Sequence, residues 1–237
     1  GKRGNGLGGD GIMDGAEIMT VRVSASGGEP YIKDMVLAIR YAVDHGADVI
    51  VLPQQNTLYP DGQKAWMSKA LRYAESKGVL VIVPAWELSQ DLAKQTFYPN
   101  RRMTGDKELT NLMIVSSSDK EGNPSLNANY GAKELDLFAP GIYTGDTYQT
   151  GSGGGLASAS VAGVAALIKA YYPELSGSQV RDILLQNVTS RKGAEVEKGI
   201  QVGGKQAQDL FLFDDLCLSG GVLNAYRALV AADKWSK

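Results

Sequence analysis

The stretch GSGGGLASASVAGVAALIKAYYP, residues 151–173, joins a glycine-rich start to a long run of small and apolar residues. This run predicts a helix from about Gly155 to Tyr172 that packs closely against a neighbouring layer. A glycine run that opens a helix exposes backbone N–H groups, which attract anions. The run lacks the Gly-Lys-Ser/Thr ending of a P-loop and the spacing of a dinucleotide fingerprint, so a phosphate site stands only as an alternative.

Strand-like and helix-like segments alternate along the chain, which predicts a doubly wound α/β fold with a mostly parallel sheet and helices on both faces. The predicted strands are 17–23, 47–52, 79–83, 112–116 and 135–138. The predicted helices are 31–44, 62–77, 155–172, one opened by a capping box at Ser176 and Gln179, and a last one from about Val222. The glycine- and charge-rich segment 190–205 is predicted to be a surface loop, and residues 1–237 a single domain.

Composition excludes several classes of function. The chain has 237 residues, 43% of them hydrophobic, and a formal net charge of −2, so it can bury a large core and offers no basic face for nucleic acid. The sequence predicts no membrane span, no cofactor and no metal site, because Asp214-Asp215 has no suitably spaced further ligands. The only cysteine, Cys217, excludes an internal disulfide and reads as a small buried hydrophobe.

The segment around Gly155 resembles the G-T-S-M-A-x-P-x-V-A-G signature of the subtilisin-like serine proteases. In this alignment Gly153 stands at the leading glycine, Gly154 at the threonine, Gly155 at the nucleophilic serine and Ala159 at the proline. The small-residue helix matches well. The position that carries the nucleophile in the family holds a residue without a side chain.

Other segments resemble the same family in the same order along nearly the whole chain. They are GIMDGAEIMTVRV (11–23), GVLVIVPAWEL (78–88), NANYGAKELDLFAPG (127–141) and LSGGVLNAYRAL (218–229). The resemblance implies a subtilisin-like sheet in which residues 1–237 lack the family's segments that carry the catalytic aspartate and histidine. It also implies that strand 17–23 pairs directly with strand 47–52, or that a neighbouring molecule fills the slot between them.

The departures from the family pattern fall where its chemistry lies. Pro53-Gln54-Gln55 replaces the segment that accepts substrate backbone, Trp86-Glu87 replaces the Gly-Asn of the oxyanion hole, and Gly155 replaces the nucleophile. The only histidine, His45, follows a helix that is remote from the nucleophile in the family. The sequence therefore predicts a pseudoprotease that acts as a binding or structural module, with a peptide or protein partner, secreted or periplasmic as the family implies.

Alternatives remain open. The first is a subtilisin-like serine endopeptidase of which this chain is a truncated or altered form. A cryptic hydrolase could use Ser152, Ser158 or Ser160, although the last two lie within a helix without a base. Asn187, in Asn-Val-Thr, fits a glycosylation acceptor by pattern alone.

The fold analogy places a crevice beyond the carboxyl ends of the strands. We expect Gln54-Gln55, Trp86-Glu87 and Gly153-Gly154-Gly155 to converge there, with Pro53 at its edge. The positive end of the helix dipole attracts a carboxylate. We therefore expect Glu87 to occupy the former oxyanion position, bonded to backbone N–H groups near Gly155 and covered by Trp86.

Overall fold

The computed structural model describes residues 4, 10–25, 28, 30–53, 55–57, 59–104, 107–143 and 151–236. The strands are β1 (Val49–Val51), β2 (Leu80–Pro84), β3 (Leu112–Ser118), β4 (Leu137–Pro140), β5 (Ile142–Tyr143), β6 (Gly151–Ser152), β7 (Thr189–Ser190), β8 (Glu195–Val202), β9 (Lys205–Leu212) and β10 (Gly221–Val222). The helices are α1 (Ile32–Asp44), α2 (Asp61–Ser76), α3 (Gly154–Tyr171), α4 (Gly177–Gln186) and α5 (Ala225–Trp235).

The central sheet has six strands in the order β1-β2-β3-β4-β10-β7. The first five run parallel, and only β7 at the far edge is antiparallel to its neighbour. β5 pairs with β6, and β8 pairs with β9, in separate two-stranded ribbons. The predicted mostly parallel, doubly wound α/β fold is confirmed.

Apolar layers cover both faces of the sheet, and the alternation along β2 shows how. Leu80 and Ile82 belong to the layer formed with α3, α4 and α5, while Val81 and Val83 belong to the layer formed with α1 and α2. None of these four side chains is more than 1% exposed. Burying an aliphatic side chain contributes roughly 1.5–3 kcal/mol to the stability of the fold. The apolar side chains on each face of the sheet therefore stabilise the packing of the helices on that face.

Four of the predicted helices form within one or two residues of their expected ends, and the capping box that opens α4 has both of its bonds. The last helix begins at Ala225 rather than at about Val222, because Val222 belongs to β10. α3 has 18 residues and is apolar enough, by length and composition, to cross a membrane. Ala157, Val161 and Ile168 of this helix are fully buried in the core layer beneath it. Burial in the sheet core therefore accounts for the composition of α3.

The predicted strand at 17–23 does not form. Residues 16–23 pair with no other segment of the described chain, and Ile18 is 86% exposed. The predicted direct pairing of 17–23 with 47–52 is also wrong, because within the described part of the chain β1 pairs with β2 alone. The alternative, a neighbouring molecule beside β1, stays a prediction. Strand propensity depends on a neighbouring ladder and on packing, and only Val21 and Val23 of this segment are half-buried.

The predicted loop at 190–205 is instead mostly β structure. β8 and β9 form an antiparallel hairpin closed by the two-residue turn Gly203-Gly204, whose φ angles are 57° and 78°. Two consecutive residues with positive φ give the turn whose twist matches that of paired strands, and glycine adopts this conformation without strain. The apolar residues Val196, Ile200 and Val202 lie on one face of β8, and Gly-Gly follows them. This pattern indicates a β-hairpin, which the loop prediction did not take into account.

Candidate functional site

The start of α3 packs against the carboxyl ends of β2 and β4. The N–H of Gly153 donates to Gly141 O at 2.8 Å, which pins the helix start to the chain just after β4. A Cβ at Gly154 would lie 2.7 Å from Ala85 O, and Gly153 has a φ of 129°, so both positions require glycine. A Cβ at Gly155 would have no atom within 4 Å. Packing therefore does not explain the glycine at 155.

Glu87 lies directly against this helix start. A Cβ at Gly153 would approach the Glu87 carboxylate to 2.8 Å, so the two residues are in contact. Glu87 Oε1 accepts a hydrogen bond from Ser117 Oγ at 2.6 Å. The predicted meeting of Glu87 with residues 153–154 is thus seen, but the bonding partner is wrong. Within the described chain no N–H of residues 153–157 donates to Glu87, because Ser117 at the end of β3 takes that place.

The ring of Trp86 packs edge-on against Phe97, with centroids 6.2 Å apart, at the border of the third apolar cluster. Edge-to-face packing is a preferred arrangement of two aromatic rings. Trp86 is half-buried in this packing, and its expected role as a cover over Glu87 stays a prediction.

Lys198 of β8 is a site residue that the sequence reasoning missed. Its side chain is fully buried, and Nζ donates to Leu126 O at 2.5 Å and to Gly199 O at 3.3 Å. Nζ also lies 5.4 Å from the centroid of the Tyr130 ring. Burial lowers the pKa of Lys198 to about 7, although the nearby negative charge of Glu87 acts to raise it. The hairpin thus brings a titratable amine close to the crevice.

The loop between Trp86 and Gln90 is held by a buried asparagine. Asn129 Oδ1 accepts from the N–H groups of Leu88 at 3.0 Å and Gln90 at 2.9 Å. Ser89, between them, is buried, has a φ of 54° and donates from Oγ to Leu126 O, the carbonyl that also accepts from Lys198. These bonds fix the backbone that presents Glu87, since a non-glycine residue at positive φ persists only where its surroundings enforce it.

The residues after β1 do not join this cluster as expected. Gln55 is 1% exposed, and its Nε2 donates to Pro99 O at 2.9 Å, so the predicted convergence is wrong for this side chain. Pro53 is exposed, and Gln54 lies outside the described residues. The structure therefore brings together Trp86, Glu87 and the start of α3 and leaves Gln55 in the core.

Among the described residues, neither Ser158 nor Ser160 has a histidine or carboxylate as hydrogen-bond partner. Ser158 is fully buried, Ser160 Oγ donates to Pro140 O at 3.1 Å, and the side chain of Ser152 lies outside the described part of the chain. His45 caps the end of α1, where Nδ1 lies 2.8 Å from Tyr41 O. α1 leads into the amino end of β1, whereas the crevice is at the carboxyl ends of the strands. The only histidine of this chain is therefore remote from Gly155.

The remaining candidate residues are Cys217, Asn187 and Asp214, and each makes contacts that belong to the fold. Cys217 is buried, and burial raises the pKa of its thiol, which opposes a nucleophilic role. The Asn187 amide donates to Ile183 O at 2.8 Å, and Asp214 accepts from the N–H of Gly193 at 2.6 Å. Across the described ranges, no group of three or more histidine, cysteine or acidic side chains is placed to hold a metal ion.

The mostly parallel sheet and the small-residue helix that starts at its carboxyl edge define a subtilisin-like α/β domain. The sequence model of the subtilase family, peptidase S8, matches residues 1–203. This chain belongs to the subtilase family. The match ends at the turn between β8 and β9, so β9 lies beyond it.

Curated relatives and solved structures agree with this assignment. Subtilisin BL of Lederbergia lenta is 31% identical over 191 residues, which cover 78% of this chain and 65% of the relative. The chain thus spans just under two thirds of the length of that protein. The epidermin leader peptide processing serine protease of Staphylococcus aureus has a TM-score of 0.71 at 20% identity, covering 94% of this chain and 60% of that one. A lanthipeptide protease has a TM-score of 0.65 at 23% identity, covering 89% and 69%.

Replacing Glu87 by glutamine is expected to lower the free energy of unfolding by roughly 1 kcal/mol. Glutamine keeps an acceptor for Ser117 Oγ but removes the charge that strengthens this bond and that faces Lys198. Urea unfolding at neutral pH measures the change. Glu174→Gln is the control, because Glu174 is an exposed glutamate outside the site. Equal free energies of unfolding for the two variants would show that the charge of Glu87 does not stabilise the fold.

Proposed function

We propose that this subtilase domain is a pseudoprotease that binds a peptide or protein partner at the crevice beside Glu87 and Gly155. The observation that carries the proposal is the glycine at position 155, where the family has its nucleophile. Among the described residues no atom lies within 4 Å of a Cβ at this position, so close packing does not require the glycine. A residue without a side chain cannot form the acyl-enzyme on which serine proteases depend.

The electrostatics of the crevice support the same proposal. Acyl transfer places negative charge on the carbonyl oxygen of the substrate, and donors normally stabilise it there. In this chain Glu87, at the family's asparagine position, brings a carboxylate to the helix start instead. A carboxylate there repels the developing charge.

The partner class follows from the surface that remains accessible. Half-buried Trp86 gives apolar contact area, and half-buried Glu87 beside it in the chain adds a charged acceptor. Extended peptides are recognised by this combination of apolar surface and hydrogen-bonding groups. A location outside the cytoplasm, secreted or periplasmic, is part of the proposal and is supported by the bacterial subtilisins among the relatives.

A second candidate function is a serine endopeptidase of which this chain is an altered form. The surroundings of Gly155 are compatible with it, because a Cβ at this position would have no described atom within 4 Å. The names of the relatives, which include subtilisins and leader peptide proteases, point the same way. Because the chain spans only part of these proteins, the activity of a longer protein is a separate proposal.

The test compares the natural chain with Gly155→Ser. We expect neither to hydrolyse fluorogenic peptides or react with a fluorophosphonate probe, because base and oxyanion donors are still missing. Gly155→Ser is expected to keep the natural melting temperature. Gly154→Ser, the packing control, is expected to lower it by several degrees, because its Cβ would meet Ala85 O.

Two outcomes would decide against the pseudoprotease. Stoichiometric labelling of a serine in the natural chain would show an intact nucleophile elsewhere in it. Turnover by Gly155→Ser would show that the rest of the machinery is present, which favours the endopeptidase.

A further inference from the structure

The hairpin of β8 and β9 has one edge on the body of the domain and one edge in solvent. In an antiparallel pair joined by a two-residue turn, the residues that flank the turn exchange both hydrogen bonds, and every second pair follows. Val202 and Lys205 flank the turn, so Ala207 and Asp209 also bond to β8. Gln206 and Gln208 then direct their N–H and C=O groups away from β8.

An observed bond on the opposite strand supports this alternation. Gly199, which faces Gln208 across the hairpin, donates its N–H to Leu126 O at 3.1 Å. The outer edge of β8 therefore lies on the body of the domain. The outer edge of β9 faces the other way, and residues 205–210 are all exposed. Within the described chain no strand other than β8 pairs with β9.

The sequence of β9 is self-complementary about Ala207. Gln206 and Gln208 flank this alanine, and Lys205 and Asp209 follow at equal distances with opposite charges. A two-fold axis that reverses the strand direction places each lysine opposite an aspartate. An in-register parallel partner would instead place lysine beside lysine and aspartate beside aspartate, which is unfavourable.

We propose that β9 is an interaction surface for a second copy of this chain. The two β9 strands pair antiparallel about a two-fold axis at Ala207, which joins the two hairpins into a four-stranded sheet. Gln206 of each copy exchanges backbone hydrogen bonds with Gln208 of the other, and Lys205 pairs with Asp209 of the other.

The geometry of this pairing is consistent at each position. The pair of Gln206 and Gln208 uses the outward backbone groups, which is what a hydrogen-bonded pair requires. Lys205 and Asp209 then form a non-hydrogen-bonded pair, in which the side chains come closer together. The small side chain of Ala207 fits the close approach at the axis. A slip by one residue would set inward groups against outward ones and lose the bonds.

One backbone N–H on the unpaired edge of β9 already has a hydrogen-bond acceptor within the same chain. Asp209 Oδ1 accepts the outward N–H of Leu210 at 2.9 Å, and Leu210 is 63% exposed. In the dimer the Asp209 carboxylate turns to Lys205 of the second copy, and Leu210 approaches the opposing turn. Because only about five residues of each strand pair, we expect a weak dimer whose population rises with protein concentration.

Sedimentation velocity over a range of concentrations tests the pairing through charge reversal. Lys205→Glu and Asp209→Lys each change two pairs of the symmetric dimer from attraction to repulsion. Each is expected to raise the dissociation constant about tenfold or more. An equimolar mixture of the two variants restores opposite charges at both pairs and is expected to dimerise like the natural chain. Lys234→Glu on α5 is the control and should leave the dissociation constant unchanged.

Amide hydrogen exchange gives a second readout on the natural chain, independent of how the variants fold. The amides of Gln206 and Gln208 should exchange more slowly as concentration rises, while those of Ala207 and Asp209 stay constant because β8 already protects them. A natural chain that stays monomeric throughout, a dimer indifferent to both charge reversals, or equal protection of the four amides would each overturn the proposal.

Discussion

Asp136→Ala is expected to lower the free energy of unfolding by about 3–5 kcal/mol, because it leaves two buried guanidinium groups without their shared partner. Asp136 is fully buried just before β4. Its Oδ1 accepts from Arg101 at 2.8 Å and from Arg181 at 2.5 Å, and its Oδ2 accepts from the N–H of Ile114 at 2.6 Å. One carboxylate thus ties β3, α4 and the loop at 101 together.

The measurement is urea unfolding of the natural chain and of Asp136→Ala at neutral pH. Asp182→Ala is the matched control, since Asp182 approaches the same Arg181, at 3.9 Å, but is 47% exposed. An exposed pair contributes between 0 and about 1 kcal/mol, so the control should be nearly neutral. A loss of similar size in both variants would show that burial of the pair does not set its strength.

The sequence predicted the core of the fold because its signals are local and strong. The apolar run at β2 has no polar position to place in water, and the capping bond between Ser176 and Gln179 joins residues three apart. The strand prediction at 17–23 failed because a strand-like pattern forms a strand only where it packs and pairs, and among the described residues this segment stays mostly exposed and unpaired. The hairpin at 195–212 was missed because charge and glycine content were weighed above alternation and the Gly-Gly turn.

The site could be predicted only in part for a related reason. The contact of Glu87 with Gly153 could be expected, because both residues lie in segments that resemble neighbouring parts of the family's sheet. The bond from Ser117 to Glu87 depends on which side chain at the end of β3 points toward α3, and Lys198 enters from a hairpin far along the chain. Such contacts depend on tertiary packing, which no local pattern encodes.

Lys198 is expected to make the stability of this domain rise with pH between about pH 7 and pH 10. Burial lowers its folded-state pKa to about 7, while the unfolded chain titrates near the ordinary lysine value of 10.5. Between these values the unfolded state binds more protons than the folded state, so raising the pH favours folding. The charge of Glu87 acts to raise the pKa of the amine, and Asp209 lies opposite Lys198 in the hairpin register.

Lys198→Met isolates this effect, because all other titrating groups cancel in the difference between the two proteins. The free energy of unfolding of the natural chain, minus that of the variant, should stay constant below about pH 7 and rise by on the order of 4 kcal/mol toward pH 10. At neutral pH the variant does not bury a charged amine, which favours its folded state. It also leaves Leu126 O and Gly199 O without the amine donor, which disfavours it. Lys205→Met, an exposed change on the same hairpin, should give a flat difference over the whole range. A flat difference for Lys198→Met as well would mean that the amine keeps its ordinary pKa and is solvated.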